Sequence, residues 1–223
     1  MILTIADILD PSALSSLMDD LKTVRWLDGS KTAGRTAEAV KRNQQADLSS
    51  RTGLTIRDRL DTALQSHPVL RAAAQPARFS RPLISRTDVG GGYGRHIDNP
   101  FMDHGENAVR TDLSYTLFLS DPDAYEGGEL MIERPSGIQS VKLPSGSLIL
   151  YPSRFLHAVN SVTKGTRIVC IGWIESRVRQ DSRREILFDL ENLAATLSTR
   201  YDAQSSERLT LAKIIANLKR DFD

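Results

Sequence analysis

The sequence contains a single cysteine, Cys170, among its 223 residues. One cysteine cannot form an internal disulfide, so we predict a chain that folds without such cross-links and works in a reducing compartment. Cys170 lies within the apolar run 168–173. A free cysteine in such a run usually behaves as a small buried hydrophobic residue, and we predict that role for it.

The sequence also lacks an excess of either charge, with 29 Lys and Arg residues against 28 Asp and Glu residues. Nucleic-acid binders usually carry a basic stripe, so we expect no nucleic-acid partner. No apolar run approaches the roughly 18 residues that span a bilayer. Residues 1–7 lack the basic start and long apolar stretch of a signal peptide. We therefore expect a cytoplasmic protein that does not associate with membranes.

Three sections of the chain differ in sequence pattern. We predict a helical region at residues 1–77, a strand-rich domain at 78–177 and a helical extension at 178–223. In the first section, Asp10 followed by Pro11 is typical of a helix N-cap and first turn. Residues 28–50 are polar and indicate a loop. A second helix is expected where apolar residues recur every four positions, at Ile56, Leu60 and Leu64.

The middle section consists of short runs of branched and aromatic residues separated by glycine, proline and aspartate. Such runs occur at 113–119, 129–132, 147–151 and 167–174. Strands this short, at this spacing, indicate a sandwich or a jelly roll rather than βαβ units.

The last section carries two amphipathic helical patterns. We expect their apolar faces to pack against the domain or against a second subunit, and the second arrangement would give a homo-oligomer formed through the terminal helices. The apolar positions are Ile186, Leu187, Leu190, Leu193 and Leu197 in the first pattern and Leu209, Ile214, Ile215, Leu218 and Phe222 in the second.

Two of the four histidines stand in a pattern typical of metal ligands. His96 and Asp98 follow a glycine-rich stretch, and residues two apart on an extended strand point to the same side. Taken alone, His-X-Asp is weak support, since chance produces it in roughly one such sequence in four or five. His157 lies between two strand-like runs and supplies a third donor. Two histidines and one carboxylate form the facial triad of non-haem iron oxygenases, which leaves metal positions open.

Arg167 lies ten residues beyond His157, in the strand that follows it. A guanidinium group is a two-pronged donor suited to a carboxylate. Many non-haem iron oxygenases use 2-oxoglutarate as a cosubstrate, which chelates the iron through its keto acid end. Its other end is a carboxylate, which would need such a cation. The alternative is a surface arginine near Lys164.

Several motifs together resemble the bacterial PKHD-type hydroxylases, in the prolyl-4-hydroxylase-like branch of the 2-oxoglutarate oxygenases. The resemblance covers the middle section and extends to the C-terminal helices. The motifs are Tyr93-Gly-X-His-X-Asp-Asn, Arg110-Thr-Asp-Leu-Ser, Thr116-Leu-Phe-Leu-Ser-Asp-Pro, Gly127-Gly-Glu-Leu, Leu150-Tyr-Pro, Leu156-His157 and Thr163-X-Gly-X-Arg167.

The resemblance implies a role for each candidate site residue. Iron(II) would bind His96, Asp98 and His157, and 2-oxoglutarate would bind Arg167. The family is also said to require L-ascorbate (vitamin C), which re-reduces the iron after uncoupled turnover. The implied reaction hydroxylates a substrate with O₂ while 2-oxoglutarate is converted to succinate and CO₂. The implied fold is α+β, a double-stranded β-helix (jelly roll) flanked by N- and C-terminal helices.

One position departs from the family. Many relatives have an aromatic residue near Thr87, where a tyrosine hydroxyl could support the cosubstrate. Here the second contact to 2-oxoglutarate is expected from Tyr93 or Thr116.

Other notable residues have simpler interpretations. Glu129 is expected to pair locally at a turn, and His104 to lie in a polar loop rather than bind the metal. Arg110 and Asp112 form a strand-edge pair or contact the substrate, and the pattern does not distinguish these. Trp173 is expected in the core.

Two other function classes remain open from the sequence. One is a cupin-type metalloenzyme that works without 2-oxoglutarate, although cupins usually supply three histidines and a glutamate and have no need of an arginine at Arg167. The other is a non-catalytic iron or 2-oxoglutarate sensor. The substrate, a small molecule or a peptide, is not identified by the fold. The relatives' association with iron uptake is only a weak indication of pathway.

Overall fold

The computed structural model describes residues 1–29, 40–102, 105 and 108–222. Its helices are α1 (Pro11–Leu21), α2 (Arg51–Ser66), α3 (Pro68–Ala74), α4 (Asp181–Ser198) and α5 (Ser206–Phe222). Its strands are β1 (Leu3–Ile5), β2 (Trp26–Asp28), β3 (Lys41–Arg42), β4 (Gln44–Ala46), β5 (Pro76–Phe79), β6 (Leu83–Thr87), β7 (Gly92–His96), β8 (Phe101–Met102), β9 (Val109–Arg110), β10 (Leu113–Phe118), β11 (Tyr125–Gly127), β12 (Leu130–Arg134), β13 (Gly137–Val141), β14 (Leu148–Pro152), β15 (His157–Val159), β16 (Val162–Gly165) and β17 (Arg167–Ser176).

Two antiparallel sheets form the centre of the molecule. The larger sheet has the order β1-β14-β10-β17-β6-β4-β2, with β5 also paired to β17, and the smaller has the order β13-β12-β15-β7-β3. Apolar side chains from both sheets, among them Phe118, Ile132, Ile149 and Val169, form one buried cluster. The sheets therefore pack face to face, and the residues pointing between them alternate along each strand with residues that point outward.

A second core lies on the opposite face of the larger sheet. There Leu117 and Ile174 of the sheet are buried together with Leu17, Ile56 and Leu60 of the N-terminal helices. Cys170 is fully buried in this same cluster, which confirms its prediction as a core residue. The larger sheet is thus covered on both faces.

The first helix begins where the sequence indicates, and all three N-terminal helices have side-chain caps. The Asp10 carboxylate accepts a hydrogen bond from the Ala13 amide at 2.8 Å, and Pro11 occupies the first turn of α1. Ser50 caps α2 in the same way. His67 caps α3, since its Nδ1 lies 3.4 Å from the Leu70 amide. Such caps satisfy amide groups that have no partner within the helix.

The prediction of a patternless loop at 28–50 is wrong in part. Residues 41–46 form β3 and β4, which extend the smaller and the larger sheet respectively. β1 also joins the larger sheet, where Leu3 pairs with Leu150. The section 1–77 is therefore not purely helical, because it supplies edge strands to both sheets. Residues 30–39 of the predicted loop lie outside the described residues.

The C-terminal helices bury only part of their predicted apolar positions. Of the predicted positions, Leu187 of α4 is fully buried and Ile215 of α5 is buried, and Leu211, which was not among them, is buried as well. By contrast, apolar side chains of both helices are exposed at Ile186, Leu193, Leu209 and Ile214. Among the described helices, none is long and apolar enough to cross a membrane.

Candidate metal centre

His96, Asp98 and His157 are brought together by pairing between distant strands of the smaller sheet. His96 ends β7 and His157 begins β15, and the two are direct cross-strand neighbours. Asp98 follows two residues after His96, beyond the end of the strand, and its side chain faces the same cavity. All three face the space between the two sheets and line one cavity there.

The donor atoms of these residues are close enough to share one metal ion. One ligand atom from each residue lies within 4.8 Å of the other two. The His157 Nε2 is 3.7 Å from Asp98 Oδ1, and both side chains are more than nine-tenths buried. The His96 and His157 ring centroids are 4.2 Å apart.

Backbone carbonyls fix the orientation of both imidazoles. His96 Nδ1 lies 2.8 Å from the Gly94 oxygen, and His157 Nδ1 lies 3.0 Å from the Phe155 oxygen. A carbonyl oxygen only accepts, so each Nδ1 carries the proton and donates, which leaves each Nε2 lone pair for the cavity. Burial, reinforced by the nearby His157, lowers the pKa of His96 to about 4. His96 is thus neutral near pH 7, the form that binds metals.

The Asp98 carboxylate is also held in place. Its Oδ2 accepts a hydrogen bond from Ser114 Oγ at 2.6 Å, which leaves Oδ1 on the side of His157. On the other side of the site, Tyr93 stacks on His96 with a centroid distance of 3.5 Å. Two imidazoles and one carboxylate, each fixed by an outer hydrogen bond, match the donor set of non-haem iron.

Arg167 lies in the same cavity and is only 3% exposed. Its guanidinium carbon is 5.6 Å from the centre of the Phe118 ring. Burial lowers the pKa of Arg167, and the nearby Tyr125 and Tyr151 oppose this shift. Within the described part of the chain, Arg167 forms no salt bridge, and its Nε has no hydrogen-bond partner. A buried guanidinium without a carboxylate is unfavourable, so this cation is suited to a ligand anion.

The double glycine at 127–128 makes room for Arg167. Gly128 has a φ of +69°, and a Cβ at this position would lie 2.9 Å from the Arg167 Cδ. The motif Gly127-Gly-Glu-Leu therefore has a steric explanation, because only glycine combines this backbone conformation with so close an approach. The sequence shows the two glycines, but it does not show that the Arg167 side chain packs against Gly128.

The three hydroxyl residues considered for 2-oxoglutarate all line the cavity. Thr87 is the direct cross-strand neighbour of Arg167, and Thr116 lies on the adjacent strand β10. Tyr93 is instead stacked on His96. Tyr151 also lines the cavity, with its ring 5.4 Å from that of His157. Sequence reasoning missed Tyr151 as a site residue, although the motif Leu150-Tyr-Pro contains it.

The cavity also includes two residues from the section that was predicted to be a loop. Lys41 and Asn43 line it together with Ser85 and Met102. Burial lowers the pKa of Lys41 to about 8, and Asn43 Nδ2 donates to Ser85 Oγ at 2.6 Å. No motif in the sequence indicated these positions, because strands β3 and β4 are too short to produce a clear alternation.

The remaining sequence predictions have mixed outcomes. Glu129 accepts a hydrogen bond from Asn160 Nδ2 at 3.0 Å, so its partner is a residue distant in sequence rather than a local one as predicted. Arg110 binds Asp112 at 2.8 Å and also Glu175 at 3.1 Å, which favours the strand-edge pair over substrate contact. Trp173 is buried as predicted, but it lines the cavity as well. His104 lies outside the described residues.

Comparisons with known proteins agree with this site. Residues 82–175 match the family model described as the 2OG-Fe(II) oxygenase superfamily. A PKHD-type hydroxylase of Hyphomonas neptunium is 51% identical over 218 residues, which cover 98% of this chain and 97% of that protein.

Two solved structures share the fold. One is a prolyl hydroxylase from Trichoplax adhaerens in complex with a peptide fragment of the hypoxia-inducible factor oxygen degradation domain. It matches with a TM-score of 0.60 at 17% identity, over 83% of this chain and 86% of that one. The other is HygX from Streptomyces hygroscopicus with nickel and 2-oxoglutarate bound. It has a TM-score of 0.55 at 15% identity and covers 78% of this chain and 82% of that one.

Proposed function

The chain belongs to the PKHD-type hydroxylases of the 2OG-Fe(II) oxygenase superfamily, and we propose that it hydroxylates a substrate with O₂ while 2-oxoglutarate is oxidatively decarboxylated to succinate and CO₂. His96, Asp98 and His157 would hold Fe(II), and Arg167 would bind the far carboxylate of 2-oxoglutarate. Membership of the family makes the protein an oxidoreductase.

One observation supports the proposal above all others. A three-donor metal site and a buried arginine without a carboxylate partner among the described residues line the same cavity. 2-Oxoglutarate has a keto acid at one end, which can chelate a metal, and a carboxylate at the other. A single molecule of 2-oxoglutarate would therefore engage both the metal site and Arg167. A metal site alone would not require a buried cation.

The chain's own residues would bind the metal and the cosubstrate, orient both and exclude water. Both histidines present Nε2 to the metal because their Nδ1 atoms are engaged by carbonyls. The Arg167 fork would fix the direction of the cosubstrate, with Thr87 and Thr116 close enough to add a hydroxyl contact. Apolar Leu130 and Val169 line the cavity and limit access of water. Iron(II), when bound, would supply the activation of O₂ that none of these side chains can perform.

We also propose that the two facing sheets form a double-stranded β-helix. Their antiparallel pairing and the cavity between them support this assignment. L-Ascorbate is proposed as a reductant only because the family is said to require it, and cytoplasmic location stays a prediction.

The substrate is proposed to be a small molecule or a peptide. The cavity offers polar groups at Lys41, Asn43 and Ser85 and apolar groups at Leu83 and Met102, which favours a substrate that carries both polar and apolar groups. Incubating the loaded enzyme with cell extract and searching for a mass gain of one oxygen would identify it.

The decisive experiment measures succinate formed from 2-oxoglutarate by the protein purified without oxygen and loaded with Fe(II). We expect one Fe(II) per chain and a visible charge-transfer band when 2-oxoglutarate is added. His96→Ala and His157→Ala should each abolish the band and the succinate. His67→Ala is the matched control, because this histidine caps α3 away from the cavity.

The alternatives give different results. Iron binding with turnover of a substrate but no consumption of 2-oxoglutarate would favour a cupin-type enzyme. Iron and 2-oxoglutarate binding without succinate, even in the presence of extract, would favour a sensor.

A further inference from the structure

Two buried serines connect Asp98 to the segment that carries His157. Ser114 Oγ lies 2.6 Å from Asp98 Oδ2 and 2.7 Å from Ser153 Oγ. Ser114 is 2% exposed and Ser153 is 3% exposed. The three side chains therefore form one continuous hydrogen-bonded row that is shielded from water.

Hydrogen-bond chemistry fixes the direction of this row once a metal is bound. A carboxylate that binds a metal is ionised, so it can only accept hydrogen bonds. Ser114 has one hydroxyl proton, and it must donate that proton to Asp98. The remaining contact is then satisfied only if Ser153 donates to Ser114 Oγ. Each hydroxyl in the row donates toward the carboxylate, and donation by Ser153 makes Ser114 a stronger donor.

Asp98 needs such support because its backbone lies outside the sheet. β7 ends at His96, and residues 97–99 have no regular structure. Ser114, by contrast, lies in β10, which pairs with β14 on one side and β17 on the other. Ser153 follows β14 directly, and its amide donates to the Asp112 oxygen at 3.2 Å. The row thus ties a carboxylate on an irregular segment to a rigid part of the larger sheet.

We propose that Ser153 and Ser114 form a hydroxyl relay that positions Asp98 as a metal ligand. The inference rests on the proposed metal site. With Oδ2 occupied by Ser114, the carboxylate cannot rotate freely, and Oδ1 is kept on the side of His157 Nε2. Both serines are positioning residues that act through Asp98. Ser114 also lines the cavity, but neither serine would be a metal ligand.

The relay predicts a specific, non-additive pattern of metal affinities. Groups that orient metal ligands typically contribute about 10- to 100-fold to metal affinity. Ser114→Ala should weaken binding by an amount in this range, and Ser153→Ala should weaken it less. Because Ser153 acts only through Ser114, the double variant should bind no more weakly than Ser114→Ala alone.

The test titrates the metal-free proteins with Co(II) under anaerobic conditions and follows the visible absorption of the bound ion. Both single variants should also change the shape of the Co(II) spectrum, which a purely structural defect distant from the ligands would not do. Ser80→Ala is the matched control. Ser80 is a buried serine whose hydroxyl accepts from the Trp173 amide at 2.9 Å, so its loss should leave affinity and spectrum unchanged.

The outcomes separate the relay from the proposed function. If the unaltered protein binds no Co(II) or Fe(II), the metal site itself is wrong, and the relay is overturned with it. If the unaltered protein binds metal and Ser114→Ala binds equally well, only the relay is overturned. The same holds if Ser153→Ala matches the unaltered protein, or if the losses of the two single variants add in the double variant. If Ser114→Ala fails to fold, comparing the Co(II) affinities of Ser153→Ala and Ser80→Ala still tests the relay.

Discussion

At the scale of single residues, Arg167 separates 2-oxoglutarate enzymes from other users of a two-histidine, one-carboxylate site. Removing one member of a buried, hydrogen-bonded charge pair costs on the order of 3–5 kcal/mol, or about a hundred-fold to a few thousand-fold in affinity. We therefore expect Arg167→Ala to raise the 2-oxoglutarate concentration required by that factor while Fe(II) binding stays nearly intact. The measurement is a 2-oxoglutarate titration of the iron-loaded protein, followed by the charge-transfer band.

Two further variants sharpen this prediction. Arg167→Lys keeps the charge but loses the planar fork, so it should restore 2-oxoglutarate binding only in part. Arg86 lies on the neighbouring strand β6 and pairs with Asp88 on the surface, so Arg86→Ala should have no effect on 2-oxoglutarate binding. Unchanged 2-oxoglutarate affinity in Arg167→Ala would refute the cosubstrate assignment and favour the cupin interpretation.

At the scale of elements, the turn between β11 and β12 controls the space available to Arg167. In Gly128→Ala, the new Cβ would meet the Arg167 Cδ and would also force a left-handed backbone that costs about 1–2 kcal/mol. We expect lower thermal stability together with 2-oxoglutarate binding that is weaker by at least an order of magnitude. Calorimetry and the same titration measure these two effects.

A second turn supplies the control for Gly128. Gly137 also has a positive φ, and a Cβ there would meet nothing within 4 Å. Gly137→Ala should therefore lower stability without changing 2-oxoglutarate affinity. Equal losses of affinity in the two variants would show that backbone strain, rather than contact with Arg167, is responsible.

At the scale of the whole molecule, the C-terminal helices close the core on the helical side of the larger sheet. Leu187 is fully buried, and Phe188 packs against the core that α1, α2 and α3 share with the sheet. Arg184 is buried too and donates to the Val178 oxygen. Exposing one large apolar side chain costs about 1.5–3 kcal/mol, so truncation after Ser176 should give insoluble or strongly destabilised protein.

A shorter truncation provides the comparison. Removing α5 alone, by ending the chain after Thr199, deletes Leu211 and Ile215 and leaves α4 in place, so the loss of stability should be smaller. Thermal unfolding of the two truncated proteins measures the difference. A soluble, fully active chain ending at Ser176 would show that both helices are accessory.

The oligomeric state of the protein is a further proposal at the scale of the whole molecule. Apolar side chains remain exposed on α4 and α5, and we propose that they support a homo-oligomer. Light scattering of the full-length chain, compared with that of the chain ending at Thr199, would test the contribution of α5.

Local patterns in the sequence determined the helix starts, the short strands and the pairing of His96 with Asp98. Asp10 and Pro11 mark a helix start because capping involves only neighbouring residues. The spacing of His96 and Asp98 predicts a shared side because residues two apart on an extended segment point the same way, although the strand itself ends at His96. The strand positions of residues 41–46 escaped detection because two or three residues show no periodicity.

Tertiary structure alone decided which distant residues meet. The register of β7 against β15 places His157 opposite His96, and the packing of the two sheets brings Ser114 and Ser153 to Asp98. The approach of Gly128 to Arg167 has the same origin. Register and sheet packing depend on how buried side chains from remote segments fit together, and no local pattern records that fit.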